Sequence, residues 1–280
     1  MPNRRDFLGT LGLALGATTL GRPRALAAMT GPSVHLPRIG IQLYTMRSLT
    51  EKDLEGTLAK LAAIGYTEVE FAGYFGKTPE QIRAMLIANR LSSPSSHIPL
   101  PANDDAWQRA LADARTIGHE WAVIPWLDPS QRKDWAPFAD RLNHLATMAR
   151  SAGMRFAYHN HDFEFVKEGD GTAMDLLLKN TDPSLVDFEM DIYWVTKAGA
   201  DPLDLIARYP KRFPLVHAKD ASPMPERAIV DVGSGTIDFA KIFQQERTSG
   251  MTHVYVERDN AVDAVDTATK SFQYLANLKY

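Results

Sequence analysis

IGIQLYTMRSLTEKDLEGTLAKLAAIGYTEVEF, residues 39–71, holds a strand, a helix and a second strand in that order. Ile39-Gly40-Ile41-Gln42-Leu43-Tyr44 reads as an extended run. Asp53 to Ile64 then places Leu54, Leu58, Leu61 and Ala62 at helical spacing, and Gly65 closes the helix. Thr67 to Phe71 returns to strand. A strand–helix–strand order is the unit from which parallel sheets are built.

The unit repeats along the chain. Pro79 to Ala88 is a helix opened by proline, Arg90 to His97 a third strand, and Asp104 to Ile117 a helix closed by Gly118. Trp121 to Pro125 reads as strand four, with one long helical stretch from Pro129 to Ala152. Met154 to Asn160, Leu185 to Met190, Pro214 to His217 and Thr252 to Glu257 read as strands five to eight. Helices at Met174–Asn180, Asp201–Arg208, Ile237–Thr248 and Val262–Leu278 follow them. No linker or composition break separates the halves. The pattern predicts an α/β chain folded as a single-domain (β/α)8 TIM barrel. An open doubly wound sheet is the alternative, because counting pairs does not prove closure.

Composition narrows the chemistry. Of 280 residues, 45% are hydrophobic and 23% charged, which excludes disorder over most of the length. The net charge of -3 and pI near 6.2 argue against nucleic acid or an anionic membrane surface as partner. With no cysteine, disulfides, thiolate zinc sites and cysteine nucleophiles are all excluded. A metal here is held by nitrogen and oxygen.

Residues 1–27 read as a signal peptide. Arg4-Arg5 precedes Asp6-Phe7-Leu8 and a weakly apolar run through Leu20, and Ala25-Leu26-Ala27 has the small-x-small form of a cleavage site. The run is too short and small-residued for a spanning helix, so no stable membrane anchor is expected. The segment resembles a twin-arginine signal, an address rather than an anchor, with a Sec signal or an amphipathic tail as the alternatives. The expected mature protein, residues 28–280, is soluble and periplasmic, and its transport partner is the twin-arginine export machinery. Losing four Arg and one Asp carries the net charge from -3 to -6.

Barrel chemistry gathers where strands end and βα loops begin. Those positions hold Gln42 and Tyr44, Glu70, His97, His159-Asn160-His161, Asp191, His217 and Glu257. Charged and imidazole groups at the ends of apolar strands are costly unless paired or metal-bound. Asp191, His217 and Glu257 end strands six, seven and eight, which are neighbours in a closed barrel. Two carboxylates and one imidazole suit one divalent ion, Mn2+, Mg2+, Co2+ or Zn2+. Glu70 and His97 lie across the barrel as substrate-hydroxyl partners or proton relays, and His97 is equally readable as structural. Lys219 is placed to bind substrate or to pair with Asp220. Trp126 and Trp194 stand at loop starts, where they stack on a sugar face or pack internally. Gly233-Ser234-Gly235 lacks P-loop spacing and shapes a loop before a helix with Thr236 as its N-cap.

Several segments together resemble a known family. They are Gly40-Ile41-Gln42-Leu43-Tyr44-Thr45, Ser96-His97-Ile98-Pro99, Tyr158-His159-Asn160-His161-Asp162-Phe163-Glu164-Phe165, Asp191-Ile192-Tyr193-Trp194, His217-Ala218-Lys219-Asp220, Val232 to Phe239, and Tyr255-Val256-Glu257-Arg258-Asp259. In this order they resemble the sugar phosphate isomerase/epimerase family of xylose-isomerase-like TIM barrels. The resemblance implies one divalent metal held from strands five to eight, here by His159, Asp191, His217 and Glu257. At strand five it departs from the ketose epimerases, which carry Glu where this chain has His159. Glu164 is then an alternative ligand or base.

The resemblance implies an enzyme that acts on a sugar or keto-sugar by removing a proton next to a carbonyl, as a lyase or dehydratase or as an isomerase or epimerase. Inosose dehydratase also carries a Tyr-His-x-His segment, which favours elimination. So does Trp194, where ketose epimerases have His. Glu257, His161 and Glu164 are the expected catalytic groups; Tyr44, Glu70, His97, Trp194 and Lys219 are the expected substrate contacts. The partner is a small-molecule sugar, and homo-oligomer formation is left open. A phosphodiesterase of the endonuclease IV kind is disfavoured by Pro125 at strand four, where a His ligand would stand, and by the lack of a basic groove. An exported carbohydrate-binding barrel without turnover is the competing reading.

Overall fold

Eight parallel strands form one sheet: β1 (Gly40–Gln42), β2 (Glu68–Glu70), β3 (Ser95–His97), β4 (Trp121–Ile124), β5 (Arg155–His159), β6 (Val186–Asp191), β7 (Leu215–Ala218) and β8 (His253–Val256). The computed structural model describes residues 35–169 and 171–280. The signal peptide expected over residues 1–27 lies outside them. Ladders run in the order β2-β1-β8-β7-β6-β5-β4-β3. Parallel bridges Glu68–Ser92 and Phe71–Ser96 join the β2 region to the β3 region, so the sheet closes as a TIM barrel.

Besides a single helical turn at Arg47–Thr50, the helices around the barrel are α1 (Leu54–Ile64), α2 (Pro79–Asn89), α3 (Asp104–Ile117), α4 (Trp135–Ser151), α5 (Ala173–Asn180), α6 (Ile192–Lys197), α7 (Pro202–Arg208), α8 (Phe239–Phe243), α9 (Glu246–Ser249) and α10 (Ala264–Asn277). Their starts are capped as the sequence dictates. Asp53, Asn103, Thr172, Asp191, Asp201 and Asp263 each accept an early helical N–H, and Thr78 with Gln81 forms a reciprocal capping box.

Four element boundaries differ from expectation. Strand one stops at Gln42, whose side chain accepts the N–H of Tyr44 and caps a 3-10 turn over Leu43–Met46. Strand three starts at Ser95, because Arg90 at φ 54 is the left-handed cap of α2. The long stretch from Pro129 divides into a 3-10 turn at Pro129–Gln131 and α4, with Asp134 at φ 52 between them. The stretch 237–248 divides into α8 and α9, and its N-cap is Asp238, bonded to the N–H of Lys241, rather than Thr236. Thr236 instead hydrogen-bonds the Ala221 carbonyl.

Side chains alternate between the barrel interior and the helix layer, since strand residues two apart share a face. Phe156, Tyr158, Phe188, Met190, Val216 and Val254 face the helices and belong to the main core. Trp121, Val123, Ala157, Leu215 and Tyr255 pack together as a separate buried cluster, the plug of the barrel. Below it Glu68 accepts from His253, and Arg155 pairs with Asp187. Above it the interior turns polar.

Candidate active site

The polar layer begins one interior position beyond the plug. On β6, Glu189 and Asp191 share the inward face; on β7 His217 follows Leu215; on β8 Glu257 follows Tyr255. Ladder pairing sets His159 beside Glu189, and Asp191 beside His217. Glu70, His159, Glu189, Asp191, His217, Lys219 and Glu257 are all buried.

His217 is the hub of this layer. Its Nδ1 lies 2.6 Å from Glu257 Oε2 and 3.9 Å from Asp191 Oδ2. Its Nε2 lies 2.7 Å from Glu70 Oε2 and 3.2 Å from Glu189 Oε2. Burial opposes a charge on this imidazole, but Glu189, Glu257 and Glu70 raise its pKa well above the usual histidine value. Glu70 is fixed by the Gln42 amide at 2.7 Å and the Ser95 hydroxyl at 2.5 Å. His97 stacks on His217 with ring centroids 5.2 Å apart.

Lys219 stands above this hub. Its Nζ is 2.9 Å from Glu257, 2.9 Å from Asp259 and 3.1 Å from Asp191. Burial disfavours the ammonium, yet these three carboxylates hold its pKa well above the usual lysine value. Burial likewise opposes the charge on Glu257, but Lys219 and His217 keep its carboxyl well below the ordinary range. Asp191 is pushed up to about 6, chiefly by burial, with Lys219 and His217 pulling the other way. Of the two readings of Lys219, the pairing with Asp220 does not form, and Lys219 turns to the cavity instead. Asp220 turns outward and accepts the N–H groups of Ala221, Gly233, Gly235 and Ile237, ordering the loop after β7. Its oxygens fill the position where a Cβ on Gly235 would stand, 2.2 Å from Oδ1.

A cavity of about 540 Å3 opens over this layer at the C-terminal end of the strands. Tyr44, His97, Trp126, His159, His161, Lys219, Glu257 and Asp259 are among its lining residues. The structure thus brings together most of the residues expected from sequence. Glu70 lies beneath the cavity, behind His217. Trp194 packs edge-on against Tyr193 and beside His161, with Lys219 Nζ 5.5 Å from its ring centroid. Glu164 is fully buried behind His161, where it accepts from Tyr158 Oη at 2.6 Å and the His161 N–H at 2.9 Å. Glu164 therefore stays off the cavity floor and orients the His159–His161 segment from behind.

Two residues of the site escaped the sequence reading. Glu189 could have been found from its spacing, two residues before Asp191 on one strand face. Asp259 has no such signal, because it lies in a loop and is fixed by Lys219.

Asp191, His217 and Glu257 offer ligand atoms within 4.8 Å of one another, and the Asp191 Oδ2 among them is buried with the Lys219 ammonium 3.1 Å away. Two carboxylates and an imidazole are a suitable donor set for a divalent ion. These residues fit the metal that the sequence reading expects.

Comparison with known proteins bears on the family and the fold. The chain is 25% identical over 252 residues to inosose dehydratase of Geobacillus kaustophilus (strain HTA426), covering 73% of this chain and 80% of that one. It is 28% identical over 163 residues to inosose dehydratase of Clostridium beijerinckii, covering 51% and 54%, so this match spans about half the length of that relative. A solved sugar phosphate isomerase/epimerase of Parabacteroides distasonis superposes with a TM-score of 0.75 at 27% identity, covering 90% of this chain and 97% of that chain. Residues 58–278 match the family described as Xylose isomerase-like TIM barrel, and the chain belongs to that family.

Proposed function

We propose that this protein is a divalent-metal-dependent enzyme that removes a proton next to the carbonyl of a keto-sugar or inosose and completes an elimination. The observation that carries this reading is the placement of ionised Glu257 and protonated Lys219, 2.9 Å apart, on the floor of the sugar-sized cavity. The inosose dehydratase relatives support elimination over other outcomes.

Asp191, His217 and Glu257, with His159 as the fourth group, would hold the ion. When bound, such an ion polarises a substrate carbonyl and makes the adjacent C–H more acidic. Glu257 is the proton acceptor, since its carboxyl remains ionised at neutral pH. Lys219 sets its ammonium against negative charge developing on the substrate. His161 stands over the same floor with its Nδ1 free of partners among the described residues. Burial, with His159 and Lys219 nearby, lowers its pKa, so it meets substrate as a neutral imidazole able to pass one proton. Glu164 fixes the backbone of that His. A single carboxylate base on one face suits elimination, whereas epimerisation needs a base on each face.

The test is proton NMR in deuterated water, using an inosose, 3-keto-glycosides and free ketoses, with and without chelator. Dehydrated product or released aglycone that disappears with chelator is expected. Deuterium incorporation with inversion at a ketose carbon, and no elimination product, would restore epimerisation. Substrate bound but unchanged would establish the binding-only reading.

Arg4-Arg5 and Ala25-Leu26-Ala27 support a further proposal, twin-arginine export of the folded barrel to the periplasm. Periplasmic material beginning near Ala28 is expected, and an Arg4→Lys, Arg5→Lys chain should stay inside the cell.

A further inference from the structure

Beneath the Asp191–His217–Glu257 group lies a second convergence of ligand atoms. Glu189 Oε2 is 2.6 Å from His97 Nε2, 3.1 Å from His159 Nδ1 and 3.2 Å from His217 Nε2. All four side chains offer atoms within 4.8 Å of one another. Bonds of roughly 2.0–2.1 Å from a tetrahedral zinc ion space its ligands about 3.3 Å apart, close to the His159 and His217 separations, while His97 at 2.6 Å would move back to admit an ion. These residues end or approach the ends of β3, β5, β6 and β7, so rigid strands rather than loops set the spacing.

A second observation points the same way. Glu189 is fully buried, and its Oε1 has no hydrogen-bond partner among the described residues. The three imidazoles serve only Oε2, so Oε1 is left for an added cation to satisfy. His97 and His159 also line the cavity, which supplies a route for an ion from solvent. Glu70 Oε2, 3.3 Å from His97 Nε2 and 2.7 Å from His217 Nε2, faces the same two nitrogens and adds a second carboxylate to the convergence.

We propose that His97, His159, Glu189 and His217 form a second cation site, deeper than the first, that takes Zn2+ or another borderline divalent ion. Three imidazoles and one carboxylate favour zinc, cobalt or nickel, whereas the carboxylate-rich group above accepts the harder Mg2+ and Mn2+. The two positions exclude each other. His217 turns Nδ1 to the upper group and Nε2 to the lower, and a neutral imidazole has one lone pair to give. His159 is shared in the same way, with Nδ1 towards Glu189 and Nε2 3.7 Å from Asp191. Zinc in the deep site therefore withdraws His217 from the upper group and leaves Asp191 and Glu257 to Lys219. The deep site stands on its own geometry; only its inhibitory consequence rests on the proposed reaction.

Metal-free full chain is titrated with Co2+ and Zn2+ alone. One Co2+ with the intense visible bands of four-coordinate cobalt is expected, and zinc X-ray absorption should show about three imidazoles per ion. Glu189→Gln and His97→Gln should each weaken zinc binding by at least about 100-fold, the upper end of the cost of losing an outer-shell partner. Asp191→Asn should weaken it by no more than about tenfold, since Asp191 is not a ligand of this site and stands 3.7 Å from His159 Nε2 and 3.9 Å from His217 Nδ1. One imidazole per zinc, or zinc lost in Asp191→Asn and retained in His97→Gln, would overturn the proposal. The X-ray absorption arm uses the unaltered chain and does not depend on any variant folding. A chain with no turnover on any keto-sugar would still bind zinc in this way, so the two readings fail separately.

Discussion

Lys219 Nζ and Asp259 Oδ1 lie 2.9 Å apart, and this contact sets an ammonium 2.9 Å from Glu257 and 3.1 Å from Asp191 as well. One buried cation thus serves three carboxylates drawn from β6 and from the chain after β8. Removing one partner of a buried charge group is far costlier than never having built it. In metal-free protein, Lys219→Met is expected to lose about 3–5 kcal/mol of stability, measured by chemical unfolding. Excess Mn2+ should restore much of that loss, because a dication compensates the same carboxylates. A loss unaffected by Mn2+ would show that no ion enters the space among them.

Asp220 provides a purely structural counterpart. Its carboxylate accepts four backbone N–H groups and ties residues 233–237 to the end of β7. Hydrogen bonds to a charged group contribute roughly 1.5–3 kcal/mol each and are not additive, so Asp220→Ala should cost about 3 kcal/mol or more in urea unfolding. Gly235→Ala should be nearly as damaging, since its Cβ would fall 2.3 Å from the Ala221 carbonyl oxygen. A change below about 1 kcal/mol for Asp220→Ala would mean that other groups hold the loop.

These two residues show what the sequence could and could not convey. Strand identity was legible because apolar runs before Asp191, His217 and Glu257 are short and punctuated, and strand order in a closed barrel made those residues neighbours. Register along the barrel axis was not legible. Whether Glu70 and Glu189 sit level with His217 depends on ladder pairing across strands distant in sequence. Lys219 and Asp220 are adjacent in the chain, and from sequence Lys219 reads equally as a substrate contact or as a partner of Asp220. The structure separates them, one to the cavity and one to the loop, because successive strand residues face opposite ways. Helix interruptions at Asp134 and after Phe243 were hidden for a related reason. The apolar periodicity on each side continues across the break.

Glu164 gives a pH signature. Burial raises its pKa from 4.5 to about 7, against the opposing pull of Tyr158 and the His161 N–H. A raised folded-state pKa means that the folded protein holds a proton the unfolded chain has released. The stabilising contribution is therefore complete below about pH 4.5 and declines as pH rises towards 7. A shift of this size corresponds to something on the order of 3 kcal/mol. Glu164→Gln should flatten the fall in stability across that window, followed by urea unfolding at several pH values. A variant that keeps the wild-type slope would place the titration elsewhere.

Trp126 and Tyr44 set the rim. Each is 44% exposed, which is high for large aromatic groups lining a cavity otherwise floored by buried ionic side chains. Arg132 lies 5.0 Å from the Trp126 ring centroid and Arg47 4.3 Å from that of Tyr44, so each ring has a cation over it that steadies its orientation. Neither ring supplies a charge at the reacting carbons. Their contribution should be made equally to bound substrate and to the transition state, which moves KM and leaves kcat in place. Trp126→Ala is expected to raise KM for a keto-sugar by roughly tenfold, about 1.4 kcal/mol, with kcat within about twofold. Trp126→Phe should recover most of the affinity, because a flat apolar face remains. Steady-state kinetics on the three proteins decides the matter. A fall in kcat at unchanged KM would mean that Trp126 shapes the reacting geometry rather than holding the outer part of the sugar.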